Sequence, residues 1–343
     1  MTAAIRFPVE TPPAEGAAVT LASGVAWLRL PLPMALDHVN IYALDDGDGW
    51  TVIDTGMDSR RSRAIWQALI DGPLAGKPIA RVVLTHYHPD HVGLAGWLQA
   101  QGAAIWATRT SWLFARMLTL DPQPVPAPET LAFWRAAGMD PDLLARRAVE
   151  RPFNFADCVH PMPLGYTRID EGATIRMGGR DWDVVFGHGH APDHAVFFSR
   201  DDHLVIGGDQ LLPGISANLG VYATEPDADP VGEWLASCAR LARRARADHL
   251  VLPGHRLPYT GLPLRLRQMR DNHTSALDRL AAHLATPGTA VSAFPVLYKR
   301  AIGEGEYNLA LVEAVGHVNR LRIEGRVRAT GQDAHGATLW QAV

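Results

Sequence analysis

Apolar positions along this chain change period in a regular way, and the changes mark out its elements. From Gly24 to Asp54 they form short strand-like runs at 25–32 (VAWLRLPL), 39–44 (VNIYAL) and 50–54 (WTVID). The last two flank Asp45-Asp46-Gly47-Asp48-Gly49, a turn signal that predicts a hairpin. Residues 59–70 then take up a helical period through Ile65, Ala68 and Leu69. Further apolar runs at 81–85, 182–186, 203–207 and 249–253 each stop at Gly, Thr or Pro and a polar cluster. The stretch 92–101 reads as a helix and 104–107 as another strand. Strands alternating with helices predict an α/β fold.

Two segments break the rhythm. Residues 108–168 combine many prolines with Trp112, Phe114, Met117, Phe133, Trp134, Phe153 and Phe155, which predicts a mostly helical insertion, either a pocket wall or a plain packing subdomain. After residue 262 come a long helical stretch (264–285), a break at Thr286-Pro287-Gly288, a second helix over 306–324 and a short hairpin to the end. The expected organisation is a catalytic domain over 20–262, carrying the 108–168 insertion, and a small winged-helix-like module over 263–343. Residues 1–20, rich in Pro, Ala and Glu, read as a loose lead-in.

Composition narrows the class. Hydrophobic residues make up 47% and charged residues 20% of the chain, an ordinary globular balance. A net charge of −4 gives no overall attraction to nucleic acid or an anionic membrane. Cys158 and Cys238 stand far apart, so the fold is not built on disulfides. The opening MTAAIRFPVETPPAEG lacks a secretion pattern, and no apolar run nears the roughly 20 residues of a membrane span. A cytoplasmic protein with a small-molecule substrate and no membrane partner is expected; a homo-oligomer is compatible with the sequence.

Histidine alters the picture, because several of the 15 cluster with aspartate. In Thr85-His86-Tyr87-His88-Pro89-Asp90-His91, four side chains of metal-ligand type follow an apolar strand. A turn there lets His86 and His88 face one metal while Asp90 and His91 turn to a second. His190, Asp209 and His255 each follow a later strand, and strands ending on one sheet edge would deliver all of these to one place.

The pattern HxHxDH, GHxPxH, a strand ending in Asp, then PGH resembles the signature of the metallo-β-lactamase-fold hydrolases over residues 24–260. The resemblance implies an αββα sandwich with two zinc ions per chain, iron and manganese being the alternatives. It places His86, His88 and His190 on one metal, Asp90, His91 and His255 on the other, and Asp209 between them. It also gives Asp54 a supporting role behind the ligands and makes Asp90 the catalytic group that orients hydroxide and passes on its proton. His194 reads as a supporting or structural residue, and His188 as exposed. His273 and His317 read as surface or capping residues, with reach to a substrate as the alternative, and Tyr87 and Tyr222 as candidate proton donors or substrate contacts.

The tail motifs 312–321 (VEAVGHVNRL) and 324–327 (EGRV) resemble the winged-helix tail of the β-lactamase-like protein 2 branch. Hydrolysis of an ester, thioester or lactone is the favoured function, because the aromatic insertion suits an apolar substrate. A phosphodiesterase or endoribonuclease is the alternative raised by Lys299, Arg300, Arg320, Arg322, Arg326 and Arg328, with nucleic acid the less favoured partner. Iron-dependent redox chemistry is a third reading, disfavoured because His88, His91 and His255 are all present.

Overall fold

Strand His38–Asp45 is buried along nearly its whole length, because the sheet it belongs to is covered on both faces. Val39, Ile41 and Ala43 point to a core that includes Ile65, Trp66 and Leu69 of helix Arg60–Asp71. Tyr42 and Leu44 point the other way, into a core shared with Trp182, Val184, Phe197 and Leu252. Such full burial contributes about 1.5–3 kcal/mol for each large apolar side chain. The structure, a computed structural model, describes residues 4–343.

The first sheet runs in chain order: β1 (Val19–Ala22), β2 (Val25–Pro31), β3 (His38–Asp45), β4 (Trp50–Ile53), β5 (Ile79–Val83), β6 (Ala104–Thr108) and β7 (Thr167–Ile169). Its pairings are antiparallel as far as β4 and parallel beyond. The second sheet comprises β8 (Thr174–Met177), β9 (Arg180–Gly187), β10 (His194–Ser199), β11 (Leu204–Gly208) and β12 (Leu250–Pro253). There β11 and β12 pair in parallel and the other pairs are antiparallel. The result is the expected two-sheet α/β sandwich.

Contacts divide the chain into two units. The first holds the chain up to Pro122, Asn154–Ala217 and Arg240–Leu266, and so contains both sheets. The second holds Gln123–Phe153, Asn218–Ala239 and Arg267–Val343. It contains helices Pro128–Ala137, Pro141–Arg147 and Tyr307–Ile323, most of Pro230–Ala242 and Leu262–His283, and the antiparallel hairpin β13 (Val327–Gln332) with β14 (Thr338–Ala342). Among the described residues, no helix is long and apolar enough to cross a membrane.

Several elements differ from the sequence expectation. β1, β7, β8 and β10 are strands that short or mixed patterns concealed, and residues 230–242 form a helix. The lead-in is less loose than expected. Arg6 forms a backbone bridge with Thr260, and β1 begins at Val19; residues 1–3 lie outside the described part. Within 108–168, Trp112, Phe114 and Phe155 pack against the first unit's core, whereas Met117 and Phe153 are exposed.

Candidate metal centre

Strand β5 ends at Val83, and the chain turns through Thr85 and His86 into the single helical turn Pro89–Val92. Proline at its first position suits a helix start, where no amide hydrogen is needed. The His91 and Val92 amides both donate back to the His88 carbonyl. This turn separates the four ligand-type side chains of the motif into two directions.

His86 Nε2 lies 3.0 Å from His88 Nδ1, which lies 3.0 Å from His190 Nε2. Around the turn, His255 Nε2 lies 3.3 Å from an Asp90 oxygen, and His91 Nε2 lies 3.5 Å from the same oxygen. Asp209 spans the two groups. Its Oδ2 is 3.2 Å from His255 and 3.5 Å from His190, and its Oδ1 is 3.5 Å from His91. All seven residues expected as ligands thus converge.

Surrounding contacts fix which ring nitrogens carry hydrogen. The Thr85 hydroxyl donates to Asp54 Oδ2 at 2.8 Å and therefore accepts from His86 Nδ1 at 3.0 Å. His91 Nδ1 donates to the same Asp54 oxygen at 2.8 Å. His255 Nδ1 donates to the His38 carbonyl at 2.7 Å. In each neutral ring, Nε2 is left presenting a lone pair inward. His194 stays out of this set: its Nε2 accepts from the Asp209 amide at 3.0 Å, and its ring stacks on His86 at 4.6 Å. His188 is half-exposed and accepts from the Asp193 amide through Nδ1 at 3.3 Å.

Electrostatics agree with a cation site. Burial, then the neighbouring imidazoles, push His86 and His88 well below the ordinary histidine range. Burial also disfavours charge on His91 and His255. There Asp90 and Asp209 outweigh it, lifting His255 to about 10 and His91 well above its usual range, with Asp54 adding at His91. Burial and nearby His190 drop His194 to about 3. Three carboxylates gathered in one buried place demand compensating positive charge.

The residues also fit metal ions by their unpaired atoms. His91 Nε2 and Asp209 Oδ1 are buried without a hydrogen-bond partner. Neutral imidazoles with carboxylates are the donor set of borderline transition metals. Nitrogens held at about 2.0–2.1 Å by one tetrahedral zinc stand about 3.3 Å apart, close to the spacing within the three-histidine group.

One supporting residue has no signal in the sequence pattern. His38, on β3, holds His255 through its carbonyl, and its Nε2 accepts from the Arg256 amide at 2.9 Å. Asn40, two residues on, donates to the Pro253 and Arg256 carbonyls at 2.9 and 2.7 Å. These partners are more than two hundred positions away in the chain, so no local spacing reveals them. His273 and His317, expected at the surface, are instead buried in the second unit, 2% and 3% exposed. Tyr222 is exposed, and Tyr87 is buried with its ring 4.6 Å from that of His88.

Comparison with known proteins agrees with the geometry. The family model described as the metallo-beta-lactamase superfamily matches residues 34–255. A crystal structure of a beta-lactamase domain protein from Burkholderia ambifaria is 34% identical, with a TM-score of 0.90, over 99% of this chain and 98% of that one. The probable metallo-hydrolase YqjP of Bacillus subtilis is 27% identical over 87% of this chain and 92% of its own. The acyl-coenzyme A thioesterase MBLAC2 of Gallus gallus is 25% identical over 68% of this chain and 78% of its own.

Proposed function

The chain belongs to the metallo-β-lactamase superfamily, a metal-dependent hydrolase by that membership, and from this premise we propose that it is a dinuclear zinc hydrolase cleaving an ester, thioester or lactone. The observation that carries the reading is the position of Asp209, with one oxygen toward His190 and His255 and the other toward His91. A carboxylate so placed joins two ligand groups, His86, His88 and His190 on one side and Asp90, His91 and His255 on the other. When bound, the zinc pair supplies Lewis acidity toward the acyl oxygen and makes hydroxide available near neutral pH.

The chain's own groups supply the rest. Burial favours the neutral form of Asp90, but His91 and His255 overcome it and keep the carboxyl below its usual range. Asp90 is therefore a half-buried carboxylate that can orient a water by accepting its hydrogen bond and then take up its proton. Asp54, Thr85 and the His38 carbonyl hold the imidazoles in the required tautomers, so no reorganisation is needed when substrate arrives.

An acyl substrate is supported by what stands beside the ligands. Tyr87 packs at 5.1 Å from Phe114 and 6.2 Å from Phe155, an aromatic cluster beside His88 in which the two phenylalanines are half-buried. The chicken relative named as an acyl-coenzyme A thioesterase acts on such a substrate. A nucleic-acid substrate is disfavoured by the tail cations. Arg300 pairs with Glu306 at 2.6 Å, Arg320 with Glu324 at 2.8 Å, Arg322 with Asp227 at 2.8 Å and Arg326 with Asp278 at 2.8 Å. Cations already paired attract phosphates weakly.

The test is metal analysis of the purified protein with hydrolysis of an aryl ester, a thioester, a lactone, a phosphodiester and a short RNA. The reading expects about two zinc held by the seven ligand residues of the main centre and acyl cleavage that is lost in Asp90→Ala and His190→Ala. Iron with no hydrolysis, or cleavage of phosphodiesters alone, overturns it.

A further inference from the structure

A second group of ligand-type side chains meets within the second unit and shares no residue with the main centre. Glu313 and His317 stand one turn apart on helix Tyr307–Ile323, and so share a face. His273 comes from helix Leu262–His283. One ligand atom from each of the three lies within 4.8 Å of the other two. Both histidines are buried, and Glu313 is half-buried. Buried ionisable groups are rarely gathered without something that repays their lost hydration.

Hydrogen bonding again fixes the tautomer. His317 Nδ1 lies 2.9 Å from the Glu313 backbone carbonyl, which can only accept, so Nδ1 carries the hydrogen. Nε2 of the neutral ring then presents a lone pair, and it lies 3.3 Å from His273 Nδ1. That separation equals the spacing of about 3.3 Å expected for two imidazole nitrogens on one tetrahedral zinc. The Glu313 carboxylate is steadied by Asn218, whose amide donates to Oε2 at 3.2 Å. A hydrogen-bonded carboxylate and a carbonyl-oriented imidazole are the supports that ligating side chains ordinarily have.

The geometry points to an additional metal site here, with a divalent cation of the zinc class held by His273, the Glu313 carboxylate and His317 Nε2. Two imidazoles and one carboxylate suit zinc or cobalt, whereas magnesium and calcium favour oxygen-only ligand sets. The cation would tie two helices of the second unit at mid-length and leave one coordination position for water. The site is independent of the hydrolytic reading, because none of its residues belongs to the main centre.

The experiment separates the two sites by variants of the full chain. In a His86→Ala/His190→Ala/His91→Ala/His255→Ala background, which removes imidazoles from both ligand groups of the main centre, cobalt(II) is added and its absorption in the visible range is titrated. The expected result is about one equivalent of four-coordinate cobalt that disappears when His317→Gln or Glu313→Gln is added. Glu313→Gln preserves shape and the Asn218 contact, so its loss of metal is not a loss of fold; circular dichroism checks this. In the otherwise unaltered chain this site adds a third zinc to the pair of the main centre, so Glu313→Gln should lower the zinc content from about three to about two per chain while leaving hydrolytic turnover in place. Cobalt binding that survives both substitutions, or no cobalt bound in the background, overturns the site. A failure of acyl hydrolysis with this metal still present would sink only the hydrolytic reading.

Discussion

Asp54 and His91 are joined by a 2.8 Å contact between Oδ2 and ring Nδ1, while the other Asp54 oxygen accepts the Thr85 amide at 2.8 Å. Asp54 adopts this position with φ at 61°, in the left-handed region that Asp and Asn tolerate best among residues with a side chain. One buried carboxylate thus orients the loop after β5 and, through Thr85 and directly, two imidazoles of the metal centre.

Asp54→Asn keeps the size and the backbone preference but places an amide where a carboxylate accepts from both His91 and Thr85. Metal affinity, measured by chelator competition, should fall about 10–100-fold, with kcat/KM following. Unchanged affinity would show that Asp54 only shapes the loop.

His38→Ala removes the acceptor of the Arg256 amide but leaves the His38 carbonyl that holds His255. The unpaired amide should cost about 1–3 kcal/mol of stability in a denaturant titration. The loss of metal affinity should be smaller than for Asp54→Asn. Equal losses in the two variants would contradict the assignment of His255's orientation to the carbonyl.

Gly254→Ala tests close approach. A Cβ there would stand 2.1 Å from Asp209 Oδ1 and 3.0 Å from His91 Cε1, so Asp209 must move. Metal content should fall and hydrolysis should drop at least about 100-fold. Gly179→Ala is the control, with φ at 72° and no neighbour within 4 Å of the new Cβ. It should lower stability by about 1–2 kcal/mol without touching turnover.

Cys158 gives a pH prediction. Burial first, then the charges of Asp157, Asp90 and Asp58, push its thiol from 9.0 to about 12. The native form therefore favours the neutral thiol. Its contribution to stability is complete below pH 9 and is lost as the pH rises from there toward 12. In a Cys238→Ser background at pH 8, a thiol reagent should label Cys158 only as fast as the protein unfolds. Rapid labelling of the folded protein would contradict this environment.

The metal motif was legible because its chemistry is local. Four ligand-type side chains within six positions after an apolar strand form a density that a solvated loop seldom carries, and the later ligands each follow a strand that the period-two signal exposes. The helices and the long strands were legible for the same reason, since burial on one face or both imprints itself on neighbouring residues. By itself the sequence determined the α/β class and the strand-end placement of the ligand-type side chains.

Tertiary structure decided what depends on partners remote in the chain. His38 supports His255 across a separation of 217 positions, and no periodicity records such a contact. β10 escaped notice because His194 begins it at the metal centre, where the motif masks the strand pattern. His273 and His317 looked like surface histidines until two helices closed over them. A side chain's chemistry is written at its own position, but its protonation, exposure and ligand partners are set by whichever groups folding brings within a few ångströms.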